Sequence, residues 1–594
     1  MSARANRGRF LGRLGACVVL AAAAGLPAPT ARSAPPPPSK PASVGAQAAP
    51  ARYDVLLRGG RIVDGTGSPW FEADLAIRGD RIAAIGPLKD ATAKSTIDVH
   101  GLVVAPGFID MLGQSEFTVL VDPRVRSKIT QGITTELTGE GGSVAPQTPF
   151  TIEELLPTIA DLKITVDWRD VDGYFGRLRQ RGSAINFAHL VGATQVRMAA
   201  LKSDNRAPTP GELAAMKRHL VRAMEQGAFG LSSALIYTPG TFAGTEELVE
   251  LAKVAASYGG IYASHIRNES ARLVPALEEA ATIGEQARIP VEVWHFKSAG
   301  KPNWGRIGEG LRAIEAARAR GVDITADMYP YPASMTDLSA CLPPSAQEGG
   351  LKAMVARLLD PEERAGIRKA IETPTDDWEN LYLQAGGAEG VLIVGVKKDA
   401  NKKYQGKRLS EIAQERGVDP FTAMFDLLAD EDGSVMCVYF LMSEDDVRTA
   451  MAAPWVAFDC DASGVRPDGV LGASMTHPRA YGTFPRVLGR YVREEKLLRL
   501  EDAVRKMTSL PARRIGLLDR GLLRPGLYAD VVVFDPGKVI DRATFEQPHR
   551  YSEGIVHLFV NGVPVIRARA ITDRLPGRAL RGPGYAGPRH AGAR

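Results

Sequence analysis

Short apolar runs alternate with amphipathic segments through the middle of the chain. Segments such as residues 209–226 and 246–258 carry apolar side chains at three- and four-residue spacing, which indicates helices that bury one face. Strands that alternate with helices form parallel sheets, and eight strand–helix units close a (β/α)8 barrel. The pattern predicts an α/β fold with a TIM-like barrel over residues 106–519. The eight apolar runs are residues 107–112, 133–138, 185–191, 228–234, 261–266, 291–296, 324–328 and 456–460.

A different pattern flanks the barrel on both sides. Residues 53–105 and residues 520–570 contain short runs that alternate apolar and polar positions or are wholly apolar, and glycine turns separate them. Each set makes only an incomplete sheet. We therefore predict that the two ends of the chain pair into one small composite β-sandwich beside the barrel.

The seventh and eighth runs are separated by far more than an ordinary loop. Residues 334–432 contain helical patterns of their own, which indicates an inserted subdomain. Because the insertion leaves the C-terminal side of a barrel strand, we expect it to act as a lid over that side. Residues 571–594 are rich in glycine, proline and arginine, and we expect them to form a flexible tail.

The first residues have the pattern of an export signal. Four arginines within residues 1–13 precede an apolar, alanine-rich run over residues 14–26, and small residues suited to cleavage follow. This pattern predicts a signal peptide over residues 1–33, a disordered linker over residues 34–52 and a periplasmic or extracellular protein. A disordered cytoplasmic extension is the alternative. We expect no membrane association once the signal is removed.

Charge changes this picture little. The 594 residues include 73 Lys and Arg against 68 Asp and Glu, for a formal net charge of +5. The basic residues are spread along the chain rather than massed on one helix, so we expect no nucleic-acid partner. No feature of the sequence indicates an oligomeric state.

Candidate chemistry lies at the ends of the predicted barrel strands, where such folds keep their active sites. Isolated histidines on buried strands are usually core groups, and we interpret His189 and His557 in this way. The polar residues at or after the strand ends are Gln114, Glu116, Glu140, His189, His265, His295, Lys297, Tyr329, Tyr331 and Asp461.

Several motifs resemble the N-acyl-D-amino-acid deacylase (D-aminoacylase) branch of the metal-dependent amidohydrolase superfamily. The resemblance covers essentially residues 53–566, and the joint order of the motifs is more specific than any one of them. The motifs are PGFID at 106–110, GLSS at 230–233, IYTPG at 236–240, YASHIRNE at 262–269, VWHFK at 293–297, DMYPY at 327–331, HPRAYGTFPRVLG at 477–489 and GLYAD at 526–530.

The resemblance implies a barrel with a composite β-sandwich, one or two divalent metal ions, usually zinc, and hydrolysis of an N-acyl amide. It places His265 and His295 at metal-ligand positions and Asp461 at the position of the catalytic aspartate. It also implies that three further residues grip the carboxylate of the substrate. These residues are Lys297, Tyr331 and Arg479.

The chain departs from the family pattern in two places. The His-x-His metal pair after the first strand is here Leu112 and Gln114, and the ligand cysteine after the second strand becomes Gly141 in strict register. Glu140 is one residue away, and two following glycines leave its backbone free to bring the carboxylate inward. Glu140 is therefore a candidate third ligand, although this stretch is also compatible with a simple turn.

We predict one metal ion per chain, held by His265, His295 and Glu140. Two imidazoles and one carboxylate form a known catalytic zinc set that leaves a position for water. The metal lowers the pKa of that water, and Asp461 then accepts its proton and returns it to the departing amine.

Other interpretations stay open at this point. Gln114 and Glu116 are expected to shape the substrate or water side of the pocket, but they are also candidates for weak ligands or partners of ligands. Lys297 and Arg479 are also candidates for pairing with structural carboxylates. The main hypothesis is deacylation of N-acyl-D-amino acids. Its alternatives are hydrolysis of a cyclic amide or imide, which requires no free carboxylate, and an exported non-catalytic binding protein on a decayed barrel.

Overall fold

The computed structural model describes residues 52–587. The predicted signal peptide, all but the last residue of the predicted linker, and residues 588–594 of the predicted tail lie outside the described residues. Within the described part of the chain, no helix is both long enough and apolar enough to cross a membrane.

The secondary structure alternates strands and helices as the sequence pattern predicts. The strands are β1 Arg52–Ile62, β2 Phe71–Arg78, β3 Arg81–Gly86, β4 Thr92–Asp98, β5 Val103–Pro106, β6 Phe108–Asp110, β7 Ile133–Thr138, β8 Asn186–His189, β9 Val191–Gly192, β10 Gly230–Ala234, β11 Ile261–His265, β12 Val291–Val293, β13 Ile324–Met328, β14 Ser334–Asp337, β15 Val391–Gly395, β16 Met436–Tyr439, β17 Val456–Phe458, β18 Val531–Phe534, β19 Ile555–Val560, β20 Val563–Arg567 and β21 Ala570–Ile571. The α-helices are α1 Thr118–Val121, α2 Arg126–Ile129, α3 Pro149–Ile159, α4 Val171–Arg181, α5 Ala193–Leu201, α6 Pro210–Glu225, α7 Thr245–Ser257, α8 Leu273–Ala287, α9 Ile307–Ala319, α10 Pro344–Gln347, α11 Leu351–Leu359, α12 Pro361–Glu372, α13 Leu381–Gln384, α14 Leu409–Arg416, α15 Pro420–Asp430, α16 Glu444–Ala452, α17 Arg479–Arg486, α18 Leu500–Met507 and α19 Ser509–Arg514.

The eight predicted apolar runs form the barrel. Strands β6, β7 and β8 pair in parallel, and β9, β10, β11, β12, β13 and β17 continue the parallel sheet. β8 and β9 are two parts of one chain segment, interrupted at Leu190. A parallel bridge between Gly113 and Ala462 joins the ends of β6 and β17 and closes the ring. The predicted fold class is confirmed.

The helices around the barrel follow from local sequence signals. α6 begins with a capping box, because the Thr209 hydroxyl accepts from the Glu212 backbone N–H and the Glu212 carboxylate accepts from the Thr209 backbone N–H. Pro210 occupies the first helical position, where its missing N–H costs nothing. Met216 and Leu220 are fully buried four residues apart, so one face of the helix covers the barrel strands.

Both ends of the chain join in one nine-stranded sheet, which accounts for the predicted composite β domain. β5 pairs with β1 on one side and with β18 on the other, so strands from opposite ends of the sequence are neighbours. β1 is a single strand across Gly59, where the sequence suggested a turn. The register shifts there, Gly59 has a φ of +67°, and a Cβ atom would overlap the His100 ring.

The insertion forms a compact unit with its own sheet and core. β14 and β15 both pair antiparallel with β16, and the helices α10 to α15 pack around them. The predicted boundary at residue 432 falls before β16, so the inserted unit extends at least to Tyr439. The Glu379 carboxylate accepts from the backbone N–H of Glu269 at 3.0 and 3.2 Å, which ties the insertion to the loop after β11. The insertion therefore covers the C-terminal side of the barrel.

Residues 571–587 differ from the predicted flexible tail. This segment runs along the barrel, where the backbone N–H of Phe187 donates to the Arg578 carbonyl and that of Leu580 donates to the Phe187 carbonyl, at 2.9 and 2.7 Å. The backbone N–H of Ala586 donates to Glu225 at 2.9 Å. Composition indicated flexibility because glycine and proline are poor formers of regular structure, but isolated hydrogen bonds hold these residues in place.

Candidate metal centre

Three potential metal ligands meet at the C-terminal ends of neighbouring barrel strands. Glu140 follows β7, His265 ends β11, and His295 follows β12. The Glu140 Oε1 atom lies 3.1 Å from His265 Nδ1 and 3.3 Å from His295 Nε2. One ligand atom from each residue lies within 4.8 Å of the others. The structure thus brings together all three residues predicted as ligands, and their donor set of two imidazoles and one carboxylate suits zinc.

Glycines on either side explain how Glu140 reaches the centre despite its offset from the family pattern. Gly139 and Gly141 have φ angles of +100° and +55°, a region that glycine occupies without steric cost. A Cβ atom on Gly139 would overlap the Leu190 carbonyl oxygen. The chain therefore turns sharply after β7, and this turn directs the Glu140 carboxylate toward the histidines.

Glu269 contacts His295 and lies near His265, on the side of each ring opposite Glu140. Its Oε1 atom lies 3.0 Å from His295 Nδ1, and its Oε2 atom lies 3.7 Å from His265 Nε2. Carboxylates in this place fix the ring orientation of metal-binding histidines. The sequence interpretation did not assign a role to Glu269, although it ends the YASHIRNE motif four residues after His265.

The protonation of the cluster follows from these contacts. Burial opposes ionisation of Glu140, but the hydrogen bonds from His265 and His295 outweigh it and hold the pKa of Glu140 well below its usual value. Burial and the Lys297 charge lower the pKa of His295, whereas Glu269 and Glu140 raise it further, to about 10. A metal ion binding here would displace a proton from the His295 imidazole.

Asp461 lies beside the three ligands and is held by two side chains. The Gln114 side-chain amide donates to Asp461 Oδ1 at 2.9 Å and to Glu140 Oε2 at 3.0 Å. Arg479 Nη1 lies 2.7 Å from Asp461 Oδ2. Burial raises the pKa of Asp461, and the Arg479 charge only partly opposes this rise. Asp461 is thus fixed in orientation and is more basic than an ordinary aspartate.

The three residues predicted to bind a substrate carboxylate differ in what their side chains contact. Lys297 Nζ contacts Glu269 at 2.6 Å and His295 Nδ1 at 2.8 Å, so both Lys297 and Arg479 pair with carboxylates inside the centre. The Tyr331 hydroxyl donates to Asp541 at 3.4 Å, and its ring packs between His477 and the Arg486 guanidinium. The structure therefore does not bring Tyr331 to the ligands.

Two other tyrosines line the centre instead. The Arg479 guanidinium lies 4.4 Å from the Tyr329 ring centre, and the Tyr237 and His265 rings pack edge to face at 5.1 Å. A cavity beside Tyr237 separates the insertion from the barrel and is also lined by Leu342 and Trp378. Both tyrosines belong to motifs that carry the family resemblance, which was the available signal for them.

Gln114 and Glu116 have different surroundings. Gln114 lies in the centre, as expected for a residue on the substrate or water side. Glu116 is buried, and its pKa is raised to about 8 by burial and by the charges of Glu136 and Glu140. His189, whose Nδ1 atom lies 2.8 Å from the Thr138 hydroxyl, is a buried core group, consistent with the sequence interpretation.

Comparisons with known proteins agree with this arrangement. The sequence profile of the amidohydrolase family matches residues 95–566. The D-aminoacylase of Alcaligenes xylosoxydans xylosoxydans is 38% identical over 532 residues, which cover 89% of this chain and 97% of that protein.

Solved structures show the same relationship. The N-acyl-D-glutamate deacylase of Bordetella bronchiseptica, complexed with zinc and a phosphonate inhibitor that mimics the tetrahedral intermediate, matches with 37% identity and a TM-score of 0.75. A D-aminoacylase with a binuclear metal centre, for which one-metal activation and second-metal attenuation are described, matches with 34% identity and a TM-score of 0.73. Both matches cover 89% of this chain and 100% of the other. The chain therefore belongs to the amidohydrolase family, in its N-acyl-D-amino-acid deacylase branch.

Proposed function

We propose that this protein hydrolyses the amide bond of N-acyl-D-amino acids with one divalent metal ion, zinc, per chain. The observation that carries the proposal is the cluster of Glu140, His265 and His295 beside Asp461, at the C-terminal side of a barrel. The identity to D-aminoacylase favours this substrate class over a cyclic amide or imide. The intact cluster argues against a non-catalytic binding protein.

Each side chain has a defined part in the reaction. Glu140, His265 Nδ1 and His295 Nε2 would hold the metal, and Glu269 would keep the His295 ring aligned. When bound, zinc polarises the scissile carbonyl and makes water more acidic. Asp461 accepts the proton of the attacking water and delivers it to the leaving amine, which requires only hydrogen-bond reach.

The cations of the centre suit an anionic substrate. Arg479 presents a planar guanidinium beside Asp461, and Lys297 stands on the other side of His295. A substrate carboxylate that approaches them gains charge-assisted hydrogen bonds. Tyr237 packs on His265 and Tyr329 lies beside Arg479, so we assign substrate contacts to these two tyrosines as well.

Steady-state hydrolysis of matched N-acetyl-D- and N-acetyl-L-amino acids tests the proposed activity. We expect turnover of D-substrates that a chelator abolishes and zinc restores. His265→Ala is expected to lower kcat by at least about 10²-fold, because it removes a ligand. His557→Ala, on the distant sheet, is the matched control and should keep its activity. Chelator-resistant turnover, or equal loss in both variants, would contradict the proposal.

We also propose that the protein is exported to the periplasm or the medium. The basic start and apolar run of residues 1–33 support this proposal. Fractionation of the native host followed by N-terminal sequencing is expected to find a mature chain outside the cytoplasm that begins near residue 34. An intact Met1 on cytoplasmic protein would overturn the assignment.

A further inference from the structure

The side-chain amide of Gln114 stands between two carboxylates that belong to the proposed one-metal site, on which this inference rests. Its nitrogen lies 3.0 Å from Glu140 Oε2 and 2.9 Å from Asp461 Oδ1. A primary amide has two N–H donors, and here each has a carboxylate acceptor. Rotating the amide by half a turn would place its oxygen against two acceptors, so the hydrogen bonds define its orientation.

The backbone holds Gln114 and Asp461 in this relationship. The backbone N–H of Asp461 donates to the Leu112 carbonyl at 2.9 Å, and that of Gln114 donates to the Ala462 carbonyl at 3.1 Å. These bonds join the ends of the first and last barrel strands. Gln114 is therefore placed by the closure of the barrel rather than by a mobile loop.

Two carboxylates this close together, with Asp461 buried and Glu140 half-buried, are stabilised by a bridging positive or hydrogen-donating group. The negative charge of Glu140 raises the pKa of Asp461, which shows that the two groups repel each other. A second metal ion is one possible bridge. In this chain a neutral amide makes the bridge, and its hydrogens occupy the space between the oxygens.

The neighbouring position supplies no ligand either. The Leu112 side chain is fully buried in an apolar cluster with Trp294 and Ala457. An alkyl group has no lone pair for a metal, and the Gln114 nitrogen that faces the two carboxylates has none to offer because it is conjugated with its carbonyl group. The first strand thus offers no imidazole at the two positions where the family pattern has its His-x-His pair, and it turns a hydrogen donor toward both carboxylates.

We propose that Gln114 is a positioning residue that replaces a second metal ion, so that this enzyme takes up one zinc ion and is not attenuated by excess zinc. It holds Asp461 beside Glu140, which with His265 and His295 would bind the metal. This behaviour would differ from that of the related D-aminoacylase with a binuclear centre and second-metal attenuation.

The test counts bound zinc by elemental analysis after equilibrium dialysis against increasing zinc. The native protein is expected to stop at one zinc per chain in large excess. Gln114→Glu keeps the side-chain shape but replaces the bridging donor with a third carboxylate, so we expect it to take up two. Gln405→Glu adds the same charge in the insertion, where Gln405 accepts from the Met475 backbone N–H, and should stay at one.

If Gln114→Glu fails to fold, the double variant Gln114→His with Leu112→His replaces it in the test, and we expect this variant to take up two zinc ions as well. Two zinc ions on the native protein would overturn the inference and leave the deacylase proposal intact. One zinc ion on every folded Gln114 variant would also overturn it. Zinc counts as expected, without any hydrolysis of D-substrates, would instead overturn the proposed function alone.

Kinetics separate the positioning role from a purely structural one. Gln114→Ala removes both hydrogen bonds and is expected to lower kcat about tenfold while KM changes less than about twofold, because Asp461 loses one of the two side chains that hold it and the substrate contacts remain. Excess zinc should leave native activity unchanged but inhibit Gln114→Glu. Inhibition of the native enzyme to the same degree would contradict the inference.

Discussion

At the scale of single residues, the centre is built from side chains whose charges depend on one another. Glu116 is one of several buried carboxyl groups whose pKa is raised by burial. It is buried, and no hydrogen-bond partner reaches its Oε2 atom within residues 52–587. A buried carboxyl group without such partners favours its neutral form.

Glu116→Gln should therefore stabilise the protein at alkaline pH. The pKa of Glu116 is about 8 in the folded protein and near 4.5 in the unfolded chain, so the folded state binds more protons between these values. The stability that Glu116 contributes is present below pH ~4.5 and is lost as the pH rises through ~8, at up to about 1.4 kcal/mol per pH unit. Urea unfolding at several pH values measures this slope.

The comparison is between the native protein and the variant at each pH. Between pH 5 and 9, the unfolding free energy of Glu116→Gln is expected to fall by about a few kcal/mol less than that of the native protein. Glu285→Gln removes an exposed carboxylate and is the matched control. An identical slope in all three proteins would contradict the assignment.

Residue types and motif order were enough to predict which side chains form the cluster, but not all of their neighbours. His265 and His295 lie in recognisable motifs, and Glu140 could be predicted because glycines surround it. Glu269 could not be distinguished from a surface carboxylate, since its role depends on how the loop after β11 folds back. Tyr329 and Tyr331 both follow β13, and the sequence alone does not show that the Tyr329 ring packs against Arg479 and the Tyr331 ring against Arg486.

At the scale of elements, apolar runs predict buried strands well and exposed strands poorly. All eight barrel runs became strands because both of their faces are covered. β4 was not predicted, since its sequence TAKSTID alternates half-buried and exposed positions and contains little apolar surface. Its parallel pairing with β1 comes from the tertiary fold.

The segment over residues 571–587 is the element whose role differs most from expectation. It hydrogen-bonds to residues at the start of barrel strands, the face opposite the metal centre. The Gly577 backbone N–H donates to Ser183, and that of Gly582 donates to Gly227, both at 2.8 Å. These hydrogen bonds support the barrel, and none of them involves a metal-ligand residue.

Deleting residues 575–594 should lower stability but not catalysis. Each lost backbone hydrogen bond costs about 1 kcal/mol, and folding no longer has to order the deleted residues, which offsets part of this loss, so we expect the unfolding free energy to fall by roughly 1–3 kcal/mol. The kcat for a D-substrate should stay within about twofold of the native value, because the metal centre lies at the other end of the barrel strands. Deleting only residues 588–594 is the control. Equal stability of both truncated proteins would show that the segment does not support the barrel.

At the scale of the whole molecule, the barrel supplies the ligands, the insertion covers them and the nine-stranded sheet joins the two ends of the chain. This arrangement was predictable from where each pattern occurs along the sequence. The individual contacts that join the two ends of the chain were not predictable. Arg81 and Gly526, for example, are 445 residues apart, and no local signal connects them.

The position of β5 also constrains the order in which the chain can acquire its structure. Its ladder with β18 cannot form until residues 531–534 have been synthesised, whereas all eight barrel strands are complete by residue 458. A growing chain therefore carries an open strand edge on β5 while the barrel is already able to collapse. Open edges pair readily with other chains. Synthesis that stops before β18 would release a barrel with a built-in site for aggregation.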